Sequence, residues 1–145
     1  MKVERIDHVS FQVKDLGKAM KWFSDVLGME FVEPFTETEE VREEMDIIET
    51  MSSVGISLVA PLTPNGTTAR LMERRGETVS MISFKVPDLE EAIAHVQSKG
   101  VRMIMRGKIF NAKWAEFHPK DCYGIMMELI EYEPKHPLLS TAPEP

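Results

Sequence analysis

The residues of this 145-residue chain best placed to do chemistry fall into three groups. The first centres on His8, which opens an alternating stretch: His8, Ser10 and Gln12 share one face of a strand, Val9, Phe11 and Val13 the other. A strand histidine on a polar row is a general base or a hydrogen-bonded partner. The second is Glu128, set in the apolar run Ile125-Met126-Met127-Glu128-Leu129-Ile130. A carboxylate buried there needs a partner or a raised pKa, so it is either a working acid/base or a structural partner of His8 or Lys85. The third is the acidic segment Glu30–Glu49, which contains Glu44, Asp46 and Glu49. In an apolar setting such acids are tuned toward neutral pKa and can take a proton from carbon; on an edge strand they are solvated charges. A regular strand puts Glu44 and Asp46 on one face, and Glu49 on the other with Met45 and Ile47. Cys122 is the single cysteine and reads as structural.

The elements that position these residues occur twice. HVSFQVKDLGKAM, from His8, lies over MISFKVPDLEEAI, from Met81, with Ser10/Ser83, Phe11/Phe84, Val13/Val86, Asp15/Asp88, Leu16/Leu89 and Ala19/Ala92 identical. In the second copy Ile82, Phe84 and Val86 oppose Met81, Ser83 and Lys85. Asp15 and Asp88 stand where helix N-caps belong, and Glu91 three residues after Asp88 predicts a capping box. The first helix should bury Leu16, Ala19, Met20, Phe23, Val26 and Leu27 before Gly28 stops it; the second should bury Leu89, Ala92, Ile93 and Val96, ending at Gly100.

Strand-like runs follow each helix, around Phe31–Pro34, Met45–Thr50 and Gly55–Ala60, then Arg102–Met105, Lys113–His118 and Ile125–Tyr132. Ser57-Leu58-Val59 aligns with Glu128-Leu129-Ile130. The pattern predicts an α+β fold: a single domain over residues 1–134, built from two tandem βαβββ modules at about 4–61 and 77–133, with a linking helix at 67–75. A Pro-rich tail over 135–145 is expected to be disordered or a loose arm. Two such modules would form a cup-shaped, mostly antiparallel sheet with helices outside. Their pseudo-twofold relation would bring His8, Ser57, Met81 and Glu128 to equivalent positions around one centre.

Composition narrows the function classes. Hydrophobic residues are 43% and charged residues 28%, a globular balance, and the net charge of −7 argues against a nucleic-acid partner. Between Glu30 and Glu49 nine acids face one base, Arg42; from Lys99 to Lys120 six bases face one acid, Glu116. Both read as solvated surface, although the basic stretch could meet ligand phosphates. No apolar run is long enough to span a bilayer and no signal peptide opens the chain; with a single cysteine this predicts a cytoplasmic protein without a membrane partner. Eleven methionines, with Met103, Met105, Met126 and Met127 in the second half, suggest an adaptable apolar lining.

The pattern resembles the vicinal oxygen chelate superfamily (glyoxalase, bleomycin-resistance protein and dioxygenase), and within it the methylmalonyl-CoA epimerases. The motifs are Ile6-Asp7-His8-Val9, Val59–Pro64, Leu71–Glu77 and, most specific, HPKDCYGIMMELIE from His118 to Glu131. The resemblance implies a homodimer and a divalent metal (Co, Mn, Ni or Zn) held by His, Gln or Glu, His and Glu, which stabilises an enolate. Carried over by position, the metal ligands are His8 and Glu128, while the other two positions hold Ser57 and Met81, both poor ligands. A degenerate metal site follows. Gln12, Ser57, Met81, Ser83 and Tyr123 are expected to line the substrate site, Tyr123 either narrowing its mouth or lying on the surface. The resemblance implies a catalytic carboxylate on an inner strand of the first half, for which Glu44, Asp46 and Glu49 are the candidates, with Glu128 as a further one.

These expectations support an isomerase or epimerase that moves a proton next to a carbonyl or acyl-CoA thioester. The alternatives are a metal-free protein of the bleomycin-resistance type, binding a hydrophobic or cationic small molecule, and another glyoxalase-like lyase, hydrolase or dioxygenase. Oxygenase chemistry fits worst, because Met81 replaces a histidine that iron needs.

Overall fold

In the computed structural model, residues 1–36 and 46–133 are described. Glu44 and the 135–145 tail lie outside them. Among the described residues the chain forms β1 (Arg5–Gln12), α1 (Leu16–Leu27), β2 (Ile47–Met51), β3 (Ile56–Pro61), α2 (Thr67–Arg75), β4 (Thr78–Lys85), α3 (Leu89–Ser98), β5 (Met103–Ile109), β6 (Ala112–Phe117) and β7 (Met126–Glu131), with a 3-10 turn at Pro119–Asp121. The class is α+β. Two compact units divide the described residues: one is Ser10–Val79, the other Met1–Val9 with 80–133. The division falls inside β1 and β4.

In the unit from Ser80, the sheet order is β1-β4-β7-β6-β5. β4 and β7 are parallel, with Ser83 opposite Glu128; β7–β6 and β6–β5 are antiparallel. α3 lies over this sheet. Its Leu89, Ala92, Ile93 and Val96 are buried against Val86, Ala115, Phe117 and Leu129, all four helix residues as periodicity predicts. Cys122 packs partly against this core, and burial pushes its thiol pKa up, which suits a structural cysteine.

In the unit Ser10–Val79, the order is β2-β3-β1, with β2 and β3 antiparallel. The core is Val13, Leu16, Leu58 and Ala60, with Phe11, Ala19, Met20 and Phe23 packed against it. Here two expectations fail. Val26 and Leu27 are each 55% exposed, so the apolar stripe of α1 extends past the surface that covers it. Phe31–Pro34 is not a strand: two isolated bridges, Phe31 with Ser52 and Phe35 with Glu49, flank the region. Pro34 has no N–H to give a ladder, and the Thr50 hydroxyl, not a backbone amide, donates to the Val32 carbonyl at 2.6 Å.

The internal repeat is visible in individual hydrogen bonds. Val13 N donates to the Val59 carbonyl at 2.9 Å, and at the equivalent place Val86 N donates to the Ile130 carbonyl at 2.9 Å. Asp15 accepts from Lys18 N and Asp88 from Glu91 N, both at 2.9 Å, so both predicted caps form. The Glu91 carboxylate itself pairs with the Met1 amine at 2.9 Å. At the end of α1, Gly28 adopts φ 66°, the left-handed stop expected of it. Asp15→Ala and Asp88→Ala are each expected to cost about 1 kcal/mol in urea unfolding, because each leaves one helix amide without its acceptor. Equal losses would show that the two copies use the same cap to the same effect.

Candidate functional site

Strand alternation sets the site. Along β1 the polar residues His8, Ser10 and Gln12 are the buried row, while Val9 and Phe11 are half-buried; along β4 Met81, Ser83 and Lys85 are buried in the same way. Helix and sheet take the apolar rows, so the polar rows are enclosed on the opposite face.

In the unit that contains β7, these rows bring His8, Ser83 and Glu128 together. Glu128 is 6% exposed. Ser83 Oγ donates to Glu128 Oε1 at 2.6 Å, and His8 Nε2 lies 3.7 Å from the same oxygen. The other ring nitrogen, His8 Nδ1, is 2.8 Å from Asp7 Oδ2. Asp7 Oδ1 accepts from the Tyr132 hydroxyl at 2.5 Å, and Tyr132 accepts from Arg5 at 2.5 Å. Lys85, also buried, donates to Glu4 at 2.7 Å and lies 5.0 Å from the centre of the Tyr132 ring. Sequence reasoning missed Asp7, Arg5 and Tyr132. Alternation puts Asp7 on the face opposite His8, and Tyr132 is 125 residues from Asp7. A buried acid beside a strand histidine was the one signal available.

The electrostatics follow from burial. Burial alone would lower the His8 pKa, but the hydrogen bond to Asp7 and the charges of Glu128 and Asp7 outweigh it, and the pKa lies above the ordinary value. Burial raises the Glu128 pKa; the His8 charge and the Ser83 hydrogen bond oppose it without cancelling it. A carboxylate with a raised pKa beside an imidazole suits proton transfer near neutral pH. Tyr132 is also raised, first by burial and then by its bond to Asp7.

Met81 lies on the same row of β4 as Ser83, buried and opposite Met126. Gln12, Ser57, Asp46 and Glu49 belong to the unit Ser10–Val79. Gln12 donates to the Gly76 carbonyl at 2.6 Å, and Ser57 is buried. Glu49 is half-buried in β2, opposite Val59. Asp46 accepts from the Thr63 hydroxyl at 2.6 Å and lies so close over Gly66 that a Cβ there would meet its Oδ2 at 1.6 Å. Its φ of 52° is left-handed, so Asp46 itself is not in extended strand conformation. Tyr123 is fully exposed at φ 58°, on the surface. Glu116, unflagged by the sequence, is buried on β6 directly opposite Glu128. In the basic stretch, Arg102, Arg106 and Lys113 pair with Asp121, Glu90 and Glu131; the Arg102 guanidinium beside Asp121 holds that carboxyl down at about 2.

The donors do not fit a four-ligand divalent metal. Among the described residues no three His, Cys, Asp or Glu side chains converge on one point. Of the four positions the superfamily uses, only His8 and Glu128 carry good donors, and a serine hydroxyl and a methionine thioether hold a hard or borderline dication weakly.

Comparison with known proteins agrees with this architecture. The sequence profile of the Glyoxalase/Bleomycin resistance protein/Dioxygenase superfamily matches residues 7–115. The chain is 26% identical to YqjC of Bacillus subtilis (strain 168) over 132 residues, which are 89% of this chain and 93% of YqjC. It is 25% identical to the mitochondrial methylmalonyl-CoA epimerase of Mus musculus, covering 88% of this chain and 73% of that one. The crystal structure of methylmalonyl-CoA epimerase from Mycobacterium tuberculosis superposes with a TM-score of 0.77 at 29% identity, covering 91% of this chain and 90% of that one. The chain belongs to the Glyoxalase/Bleomycin resistance protein/Dioxygenase superfamily and is similar within it to the methylmalonyl-CoA epimerases.

Proposed function

We propose that the protein is an epimerase- or isomerase-type enzyme that moves a proton on the carbon next to the carbonyl of a small acyl thioester, an acyl-CoA being the favoured class. The observation that carries this reading is the buried Glu128 carboxyl, raised in pKa and set between Ser83 and His8. Glu128 takes the proton from carbon to give the planar enolate, and the centre inverts when the acyl group turns over in the site and Glu128 returns the proton to the opposite face. His8, whose pKa is raised, presents a charged Nε2–H to the oxygen on which negative charge develops. Ser83 fixes the carboxylate. No step passes through a metal. Homodimer formation and a cytoplasmic setting belong to the same proposal, supported by the superfamily's habit and by the single cysteine; no helix among the described residues is long and apolar enough to cross a membrane.

The test is deuterium wash-in from D₂O into the 2-position of methylmalonyl-CoA, followed by mass spectrometry. Exchange is expected without added metal, and added cobalt should change its rate by less than about twofold, since two good donors hold the ion weakly. No exchange with or without cobalt overturns the proposal. Ser57 and Met81 at two ligand positions favour a second reading, a metal-free binding protein for a hydrophobic or cationic small molecule. That reading expects thermal stabilisation by such compounds and none by divalent metals.

A further inference from the structure

We propose that Asp7, itself held by Tyr132, is the positioning residue that fixes the ring orientation and tautomer of His8. The inference deepens the proton-transfer reading and rests on it only for its kinetic consequence. The geometry is a chain of directional contacts. Tyr132 donates to Asp7 Oδ1, Asp7 Oδ2 takes His8 Nδ1, and His8 Nε2 is thereby the nitrogen left to face Glu128. A carboxylate on Nδ1 makes that nitrogen the donor in both the charged and the neutral ring, so Nε2 is the nitrogen that gains or loses the working proton and meets the substrate. The clamp is built, not incidental. The Asp7 side chain is 2% exposed, and Tyr132 is buried with its hydroxyl between Arg5 and Asp7 and its ring beside the Lys85 ammonium. Asp7, His8 and Arg5 are on β1, Lys85 is on β4 and Tyr132 directly follows β7, so strands set the ring angle. Ser83 does the corresponding work for Glu128 from the other side.

Asp7→Ala and Tyr132→Phe separate this role from a merely structural one. The primary readout is the imidazole ¹⁵N–¹H long-range correlation spectrum of the ligand-free protein at alkaline pH, where the rings are neutral. His8 is assigned by the signals lost in His8→Asn. Wild type is expected to show the Nδ1–H form. Asp7→Ala should shift His8 to the Nε2–H form, and Tyr132→Phe should produce a mixture. In the wash-in assay Asp7→Ala is expected to lower kcat by about 10- to 100-fold with little change in KM, the usual cost of losing the group that orients a site histidine. An Asp7→Ala spectrum that keeps the wild-type Nδ1–H form overturns the proposal. If Asp7→Ala does not fold, Tyr132→Phe decides by the same criterion, an unchanged His8 pattern overturning it. Because the tautomer is read without substrate, a silent wash-in assay counts against the proton-transfer reading alone.

Discussion

Glu128→Gln is expected to lower kcat for proton exchange by about 10²- to 10⁴-fold while the protein stays folded. Glutamine keeps the volume and keeps an oxygen to accept from Ser83, so the hydrogen bond of 2.6 Å survives. What disappears is the group that holds the proton. The pH profile separates this from damage. Wild-type activity should rise with pH as Glu128 loses its proton, with a midpoint above the ordinary 4.5 because burial resists the charge. It should fall again as His8 loses its proton, above the ordinary 6.5. The variant should lack the acid limb. Stability gives a second readout. A raised carboxyl pKa means the native state binds more protons than the unfolded chain, so ionisation destabilises the fold as pH rises through the folded value. His8, also raised, stabilises below its unfolded pKa, and that contribution is lost as pH climbs through its folded one. The substitution removes the first effect and weakens the second, since Glu128 is one cause of the His8 shift. The melting temperature of the variant relative to wild type should therefore increase from pH 4.5 upward. Full exchange activity in a folded Glu128→Gln protein would reassign the base.

Much of this was legible in the residues, and the reasons differ by element. The repeat was read from six identical pairs, and it holds down to matched caps at Asp15 and Asp88 and matched bonds at Val13 and Val86. Period two placed His8 on the buried polar row of its strand, because alternation reports the face directly. Helical period does not report how far a face is covered, which is why α3 buries its whole predicted stripe while Val26 and Leu27 at the end of α1 remain exposed. At Phe31–Pro34 the apolar and β-branched residues suggested a strand, but a proline and a competing threonine hydroxyl reduce the pairing to bridges. The Asp7–Tyr132 clamp joins neighbours on a strand to a side chain at the far end of the chain, and no periodic pattern encodes that.

The second large effect falls on stability. Phe117→Ala should cost about 3–5 kcal/mol, which at this chain length lowers the melting temperature by roughly 10–15 °C. The ring is fully buried under α3, among Leu89, Ile93, Val96 and Leu129, on the face of β6 turned away from Glu116. Met103 and Met127, its partly buried cross-strand partners, are able to shift toward the gap, but the fully buried Leu89 and Leu129 are held on a helix and a strand, so most of the cavity cost remains. Phe23, in the other unit, is the control. It makes edge-on ring contacts with Phe11 at 5.5 Å, Trp22 at 5.0 Å and Phe31 at 6.2 Å, but it is only half-buried, and Trp22 beside it is exposed. Water already reaches that side of the ring, and exposed neighbours are able to close over the gap. Phe23→Ala is therefore expected to cost about half as much, roughly 1.5–2.5 kcal/mol. Urea unfolding of both variants measures the difference. Equal losses would mean that α1 is covered as fully as α3 in solution, for which a second molecule lying over Trp22, Val26 and Leu27 is the direct explanation. The midpoint of Phe23→Ala would then depend on protein concentration, because unfolding would be linked to dissociation.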